Sequence, residues 1–96
     1  MERAMGYARR HREYLQQANP SLFKSLSQSG RLAEHCKTIG EQAAEMYESL
    51  SAQMQTSKDL PTEYAAKVAA LEAIPMTADE IVMHELVLQP PQNPPT

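Results

Sequence analysis

The chain has 96 residues, 42% of them hydrophobic, with a net charge of −3, no Trp, one Phe and one Cys. That length is one domain with one modest core, burying roughly 65% of the unfolded chain's surface and leaving little room for an enclosed catalytic cavity. The lone Cys36 excludes an internal disulfide and an all-cysteine zinc site, and no apolar run approaches the ~20 residues of a membrane-spanning helix.

The opening MERAMGYARRHREYL has no apolar signal-peptide core. The sequence therefore reads as a soluble, cytoplasmic protein with no membrane contact. Ala, Leu, Met, Glu and Gln are good helix formers, and Val and Ile are few. The expected fold is all-α: a small helical bundle over residues 1–88, with a long central helix and a disordered Pro-rich tail over 89–96.

Residues 2–18 read as a first helix. At about 100° per residue, Ala4, Tyr7, Ala8, His11, Tyr14, Leu15 and Ala18 share one face, and Arg3, Arg9, Arg10 and Arg12 fan around the rest. His11 lies at the middle of the apolar face and reads as a half-buried structural histidine. Asn19-Pro20 reads as a cap followed by proline at the first helical position. A short helix over 20–29 follows, with Leu22, Phe23 and Leu26 inward, and Gly30 sits where a left-handed residue ends a helix.

The clearest periodicity runs from Arg31 to about Gln55. Leu32, Cys36, Ile39, Ala43, Met46 and Leu50 are spaced four, three, four, three, four, a heptad seam. The flanking positions are uncharged, so nothing specifies a parallel zipper, and a partner within the same bundle is expected. Gly40, costing roughly 1 kcal/mol inside a helix, marks a close crossing or a bend. TSKDLP at 56–61 is a break. Pro61 to Ile74 is patterned with Tyr64, Val68, Leu71 and Ile74 inward, and Pro75 stops or kinks it. Thr77 to Glu80 has the form of a capping box opening a last helix to about Leu88. On that helix Glu85 falls among Ala78, Ile81, Val82 and Leu86, so it is expected to be buried and paired, with Arg31, His11 or an arginine of the first helix as its partner.

A helix, a glycine and a second helix also describe a helix-turn-helix DNA reader. Here the helix after Gly30 offers only Arg31, His35 and Lys37 to a base or phosphate. It then presents Glu41, Glu45 and Glu48, which repel phosphates. A bundle corner is the preferred reading.

Several residues together resemble a known family. Tyr14-Leu15, Pro20, Phe23, Leu26, Ser29-Gly30-Arg31-Leu32, His35, Ile39, Ala43, Leu50, Met54 and Thr62-Glu63 come in order. The ending Ala78-x-Glu80-Ile81-Val82-x-x-Glu85-Leu86-Val87 completes the set. Over about residues 14–88 the chain resembles the TnpV family of small transposon-encoded proteins of Gram-positive bacteria. The resemblance implies an accessory role on a mobile element. The chain departs from the family pattern at Gly40, where an acidic residue is usual, and at Lys67 to Ile74, which lacks the family's Trp and Asn. Pro75 interrupts what the family runs as one helix.

The chemistry-bearing residues point away from catalysis. His35 and Cys36 are adjacent on a helix and face different directions, and Cys36 lies on the seam. Glu80 and His84 are half of a metal site without a second half. No nucleotide loop, metal cluster or catalytic constellation is present, so no enzyme activity and no cofactor are expected.

Charge is the informative feature. Residues 1–37 carry seven Lys/Arg against three Glu, a balance of +4, and residues 38–96 carry two Lys against nine Asp/Glu, a balance of −7. Such a dipolar chain suits an electrostatically steered partner. The first expectation is a protein partner bound through Arg9, Arg10 and Arg12 or through Glu41, Glu45 and Glu48. A host defence (CRISPR) nuclease is the kind of target an acidic face would inhibit. An excisionase-like DNA binder using Arg3, Arg9, Arg10, Arg12, Lys24 and Arg31 is the alternative, and a structural homodimer through the heptad seam is a third.

Overall fold

Local signals set the first three helices. The computed structural model describes residues 2–88 and contains α1 (Glu2–Ala18), α2 (Pro20–Gln28), α3 (Leu32–Gln55) and α4 (Tyr64–Val82), the last running into a π-helical turn at Met83–Val87. The described residues contain no strand. The tail expected at 89–96 lies outside them. Asn19 caps α2 through its side chain, which accepts from the Leu22 amide at 3.4 Å, and Pro20 occupies the first turn. At the other end Gly30 adopts φ 75°. Its N–H reaches the Ser27 carbonyl, and the Arg31 N–H reaches the Leu26 carbonyl. This is the paired closure of a Schellman motif, and it turns the chain from α2 into α3.

Three cross-helix pairs fix the directions. His11 meets His35, Ala8 meets Gly40 and Arg3 meets Tyr47, so α1 and α3 run antiparallel. Tyr7 meets Asp79, Arg10 meets Met83 and His11 meets Val87, so α4 runs parallel to α1. The core joins all three, with Tyr7 from α1, Ala43 and Tyr47 from α3, Ala78 and Val82 from α4, and Val87 from the π-turn. Leu15, Val82 and Val87 are fully buried, each contributing about 1.5–3 kcal/mol by leaving water. The heptad seam of α3 is thus covered by α1 and α4 of the same chain. Cys36 and Ala43 are buried there, Leu32, Ile39, Met46 and Leu50 are half-buried, and Gly40 and Tyr47, which flank the seam, complete the buried face.

The C-terminal third departs from expectation in three ways. Pro75 does not divide it: α4 is continuous from Tyr64 to Val82, with Pro75 on its exposed side. Burial of Ile74 just before it and of Ala78 and Val82 after it holds the helix through the lost amide. Thr77 and Glu80 consequently stand exposed in mid-helix and form no capping box. The actual cap is Glu63, whose carboxylate accepts from the amides of Ala65 at 3.2 Å and Ala66 at 2.8 Å.

Tyr64 is 81% exposed rather than inward. It stands in the first turn of α4, and inward packing begins only at Val68. Glu85 is exposed, not buried and paired. The π-turn inserts an extra residue into the helical period, closed by the Leu88 amide on the Met83 carbonyl at 2.8 Å. That phase shift carries Val87 into the core and Glu85 outward.

Candidate functional site: charged faces and a buried histidine pair

The arginines of α1 do not form one patch. Arg3 stacks on the Tyr47 ring, its guanidinium carbon 3.5 Å from the ring centroid. Arg10 points to the α4 side, 3.5 Å from the Asp79 carboxylate and 3.6 Å from the Met83 sulfur. Arg12 lies over the Phe23 ring of α2 at 5.6 Å. Arg9 is exposed, as are Lys24 on α2 and Arg31 at the start of α3. Residues 9, 10 and 12 point in three directions because each step along a helix rotates about 100°. The sequence grouping is therefore dispersed in space, and most of it is engaged within the chain.

The acidic residues behave differently. Glu34, Glu41, Glu45 and Glu48 are all exposed. Their spacing of seven, four and three puts them on one stripe of α3, opposite the face that buries Cys36, Gly40, Ala43 and Tyr47. Among the described residues the Arg10–Asp79 pair is the ion pair, and none involves this stripe. The stripe extends ~21 Å along a single helix.

Between α1 and α4 Tyr7 donates its hydroxyl hydrogen to Asp79 at 2.7 Å. Burial, then the Asp79 carboxylate, raises the Tyr7 phenol to about 12. An open groove of about 290 Å³ lies beside it, lined by Glu2, Arg3, Gly6, Tyr7, Arg10 and Asp79. Two guanidiniums face two carboxylates there, so the groove has no net charge to select an ion.

The second polar centre is buried. His11, expected to be half-buried, is fully enclosed. Its Nδ1–H donates to the Val87 carbonyl at 2.8 Å, and its Nε2 accepts from the Nε2–H of His35 at 3.1 Å. Tyr14 stacks against the His11 ring. Burial lowers both imidazoles from their ordinary value; for His11 the Val87 contact opposes it, and for His35 the neighbouring His11 adds to it. Sequence reasoning found His11 and missed its partner. His35 flanks the seam rather than lying on it, and only the antiparallel pairing of α1 and α3 brings the two together. Cys36 is a buried thiol pushed upward by burial, with Arg12 acting the other way.

Among the described residues no group of three or more His, Cys, Asp or Glu could hold a metal ion. Among the same residues no helix is long and apolar enough to cross a membrane. Comparison with known proteins finds no match among curated proteins and none among solved structures. The sequence model of the transposon-encoded protein TnpV matches residues 2–87, the whole span from the start of α1 to the end of the π-turn. The helical unit described above is thus the matched unit, and the chain belongs to the TnpV family of transposon-encoded proteins.

Proposed function

We propose that this protein is a non-enzymatic accessory protein of a bacterial mobile element that acts by binding a protein partner with a basic surface. The supporting observation is the contrast between its two charged faces. Glu41, Glu45 and Glu48, continued by Glu34, stand exposed along one helix, and among the described residues none of them forms an ion pair. Arg3, Arg10 and Arg12 are held against Tyr47, Asp79 and Phe23.

A row of carboxylates on a helix imitates a phosphate backbone. Glu41 to Glu48 place one charge per ~5 Å of helix axis, against ~3.4 Å per strand of B-DNA. The partner class that fits is a protein whose lysines and arginines line a nucleic-acid groove, and a host defence nuclease of the CRISPR kind is the finer reading.

Recovery of tagged protein from a Gram-positive lysate, with and without nuclease treatment, tests this. A partner retained after nuclease treatment, and lost when Glu41, Glu45 and Glu48 are changed together to Lys, supports the reading. Retention of nucleic acid that weakens steeply with salt, and is lost when Arg9, Arg10 and Arg12 are changed to Gln, supports the excisionase-like alternative.

A further inference from the structure

We infer that the part of the α3–α4 hairpin projecting beyond α1 is a docking slot for a basic amphipathic helix of the protein partner. This rests on the reading of the acidic stripe above and names the element of the partner that meets it.

The first turn of α1 is level with Tyr47, on which Arg3 stacks, and Tyr7 is level with Asp79. Since α3 runs antiparallel to α1 and α4 parallel to it, residues 48–55 of α3 and 64–73 of α4 extend past Glu2. That is ~12–15 Å of hairpin. The short α2 packs on α1 and α3 and does not reach α4. Among the described residues no third helix lies beside this stretch.

The face that α1 covers lower down continues without it. On α3 the line through Gly40 and Tyr47 goes on through Ser51 and Met54, with Leu50 beside it. On α4 the line through Asp79 goes back through Glu72 and Val68, with Leu71 and Tyr64 beside it. Leu50, Met54, Val68 and Leu71 are only half-buried, and Tyr64 is 81% exposed. The rims are acidic. Glu48 stands next to Tyr47 on α3 and Glu72 stands on α4, both exposed. At the closed end Glu2 and Arg3 offset each other, and residues 48–73 together carry four Asp/Glu against Lys58 and Lys67.

The occupant follows from that shape and charge. The slot prolongs the line of a helix and takes two to three further turns, at ~5.4 Å each. An apolar floor between carboxylate rims selects an apolar stripe flanked by Lys or Arg. A second copy fits less well, because pairing slot to slot sets acidic rim against acidic rim. Glu48 also belongs to the stripe of α3, so a partner seated in the slot reaches both.

Fluorescence anisotropy with a labelled 14-residue Ala/Leu peptide, its Leu stripe flanked by Lys, tests the slot on the full chain at low salt. The native chain should bind it, and the double variant Tyr64→Ser, Glu72→Lys should bind at least ~10-fold more weakly. Both positions are exposed, so the variant should keep the native circular dichroism and thermal midpoint. Exchanging the peptide's Lys for Glu, or its Leu for Ser, should weaken binding as much. No binding by the native chain, or equal binding by the double variant, overturns the inference. So does a native dimer that Tyr64→Ser dissociates, which would give the slot to a second copy. Loss of binding only in Glu41→Lys, Glu45→Lys places the contact on the stripe: the slot then falls while the proposed function stands. A lysate partner that the Glu41, Glu45 and Glu48 changes do not release removes the stripe reading instead.

Discussion

Gly40 of α3 rests against the carbonyl oxygen of Ala4 in α1, so close that a Cβ would overlap that oxygen and stand 3.0 Å from both the Cβ and the backbone nitrogen of Ala8. Two of those three obstacles are backbone and cannot rotate away. Gly40→Ala should therefore destabilise by about 1–3 kcal/mol, the usual cost of overpacking, although alanine is the better helix former by ~1 kcal/mol. Gly6, on the same α1, has nothing within 4 Å of its Cβ position. Gly6→Ala should raise stability by ~0.5–1 kcal/mol. Urea denaturation of the two variants checks both. Equal shifts in one direction would mean that the crossing is not tight.

Pro75 lies inside α4 on an exposed position. It withholds the amide that would bond the Leu71 carbonyl, and burial of Ile74, Ala78 and Val82 carries the helix past it. Pro75→Ala restores that bond at a site where nothing else depends on the ring. The expected gain is ~1–3 kcal/mol, read as a higher denaturation midpoint. A loss of stability would show that the proline sets a bend the bundle needs.

Stability should fall at both ends of the pH range. His11 and His35 are lowered by burial, so below the ordinary histidine value of 6.5 the unfolded chain binds protons that the folded chain does not. Their contribution is complete above about 6.5 and is lost as pH falls through the lowered folded values. Tyr7 is raised to about 12 from 10.0. Between those values the unfolded phenol has ionised and the folded one has not, so stability declines as pH rises from about 10. Tyr7→Phe should flatten that alkaline decline and leave the acid side unchanged. Thermal midpoints of both proteins from pH 5 to 11 measure this, and an equally steep alkaline decline in Y7F would remove Tyr7 as its source.

Most of the fold was legible because its signals are local. Asn19-Pro20 and Gly30 each act within a few residues and stand where the sequence put them, whereas the buried face of α3, Cys36, Gly40, Ala43 and Tyr47, keeps the four-three spacing but shares only Cys36 and Ala43 with the expected seam. The C-terminal third was misread because tertiary burial outweighed local rules there. Pro75 and the Thr77–Glu80 box are strong local punctuation, yet the apolar face through Ile74, Ala78 and Val82 continues past both. Glu85 was misplaced because a constant helical period assigns it to the core, and the π-turn breaks that period. The exposed carboxylates of α3 follow directly from periodicity. The His11–His35 contact does not, since it depends on how two helices 24 positions apart align.

Glu45 offers a way to separate folding from binding. It stands one helical turn from both Glu41 and Glu48, on the exposed side of α3. Like charges at four-residue spacing destabilise a helix, and opposite charges stabilise it by ~0.2–0.5 kcal/mol per pair. Glu45→Lys converts two repulsions into two attractions. The variant should be more stable than the parent by ~0.5–1 kcal/mol, with the gain shrinking as salt rises. If the stripe binds a basic partner, the same change should weaken that binding by an order of magnitude or more in Kd at low salt, through lost attraction and new repulsion. A variant that folds better and binds worse would show that the stripe is kept against the interest of the helix, which is what a binding surface predicts. A variant that is more stable and binds equally well would leave the carboxylates as a solvated face, and the exposed basic residues, Arg9, Lys24 and Arg31 among them, would be left to examine.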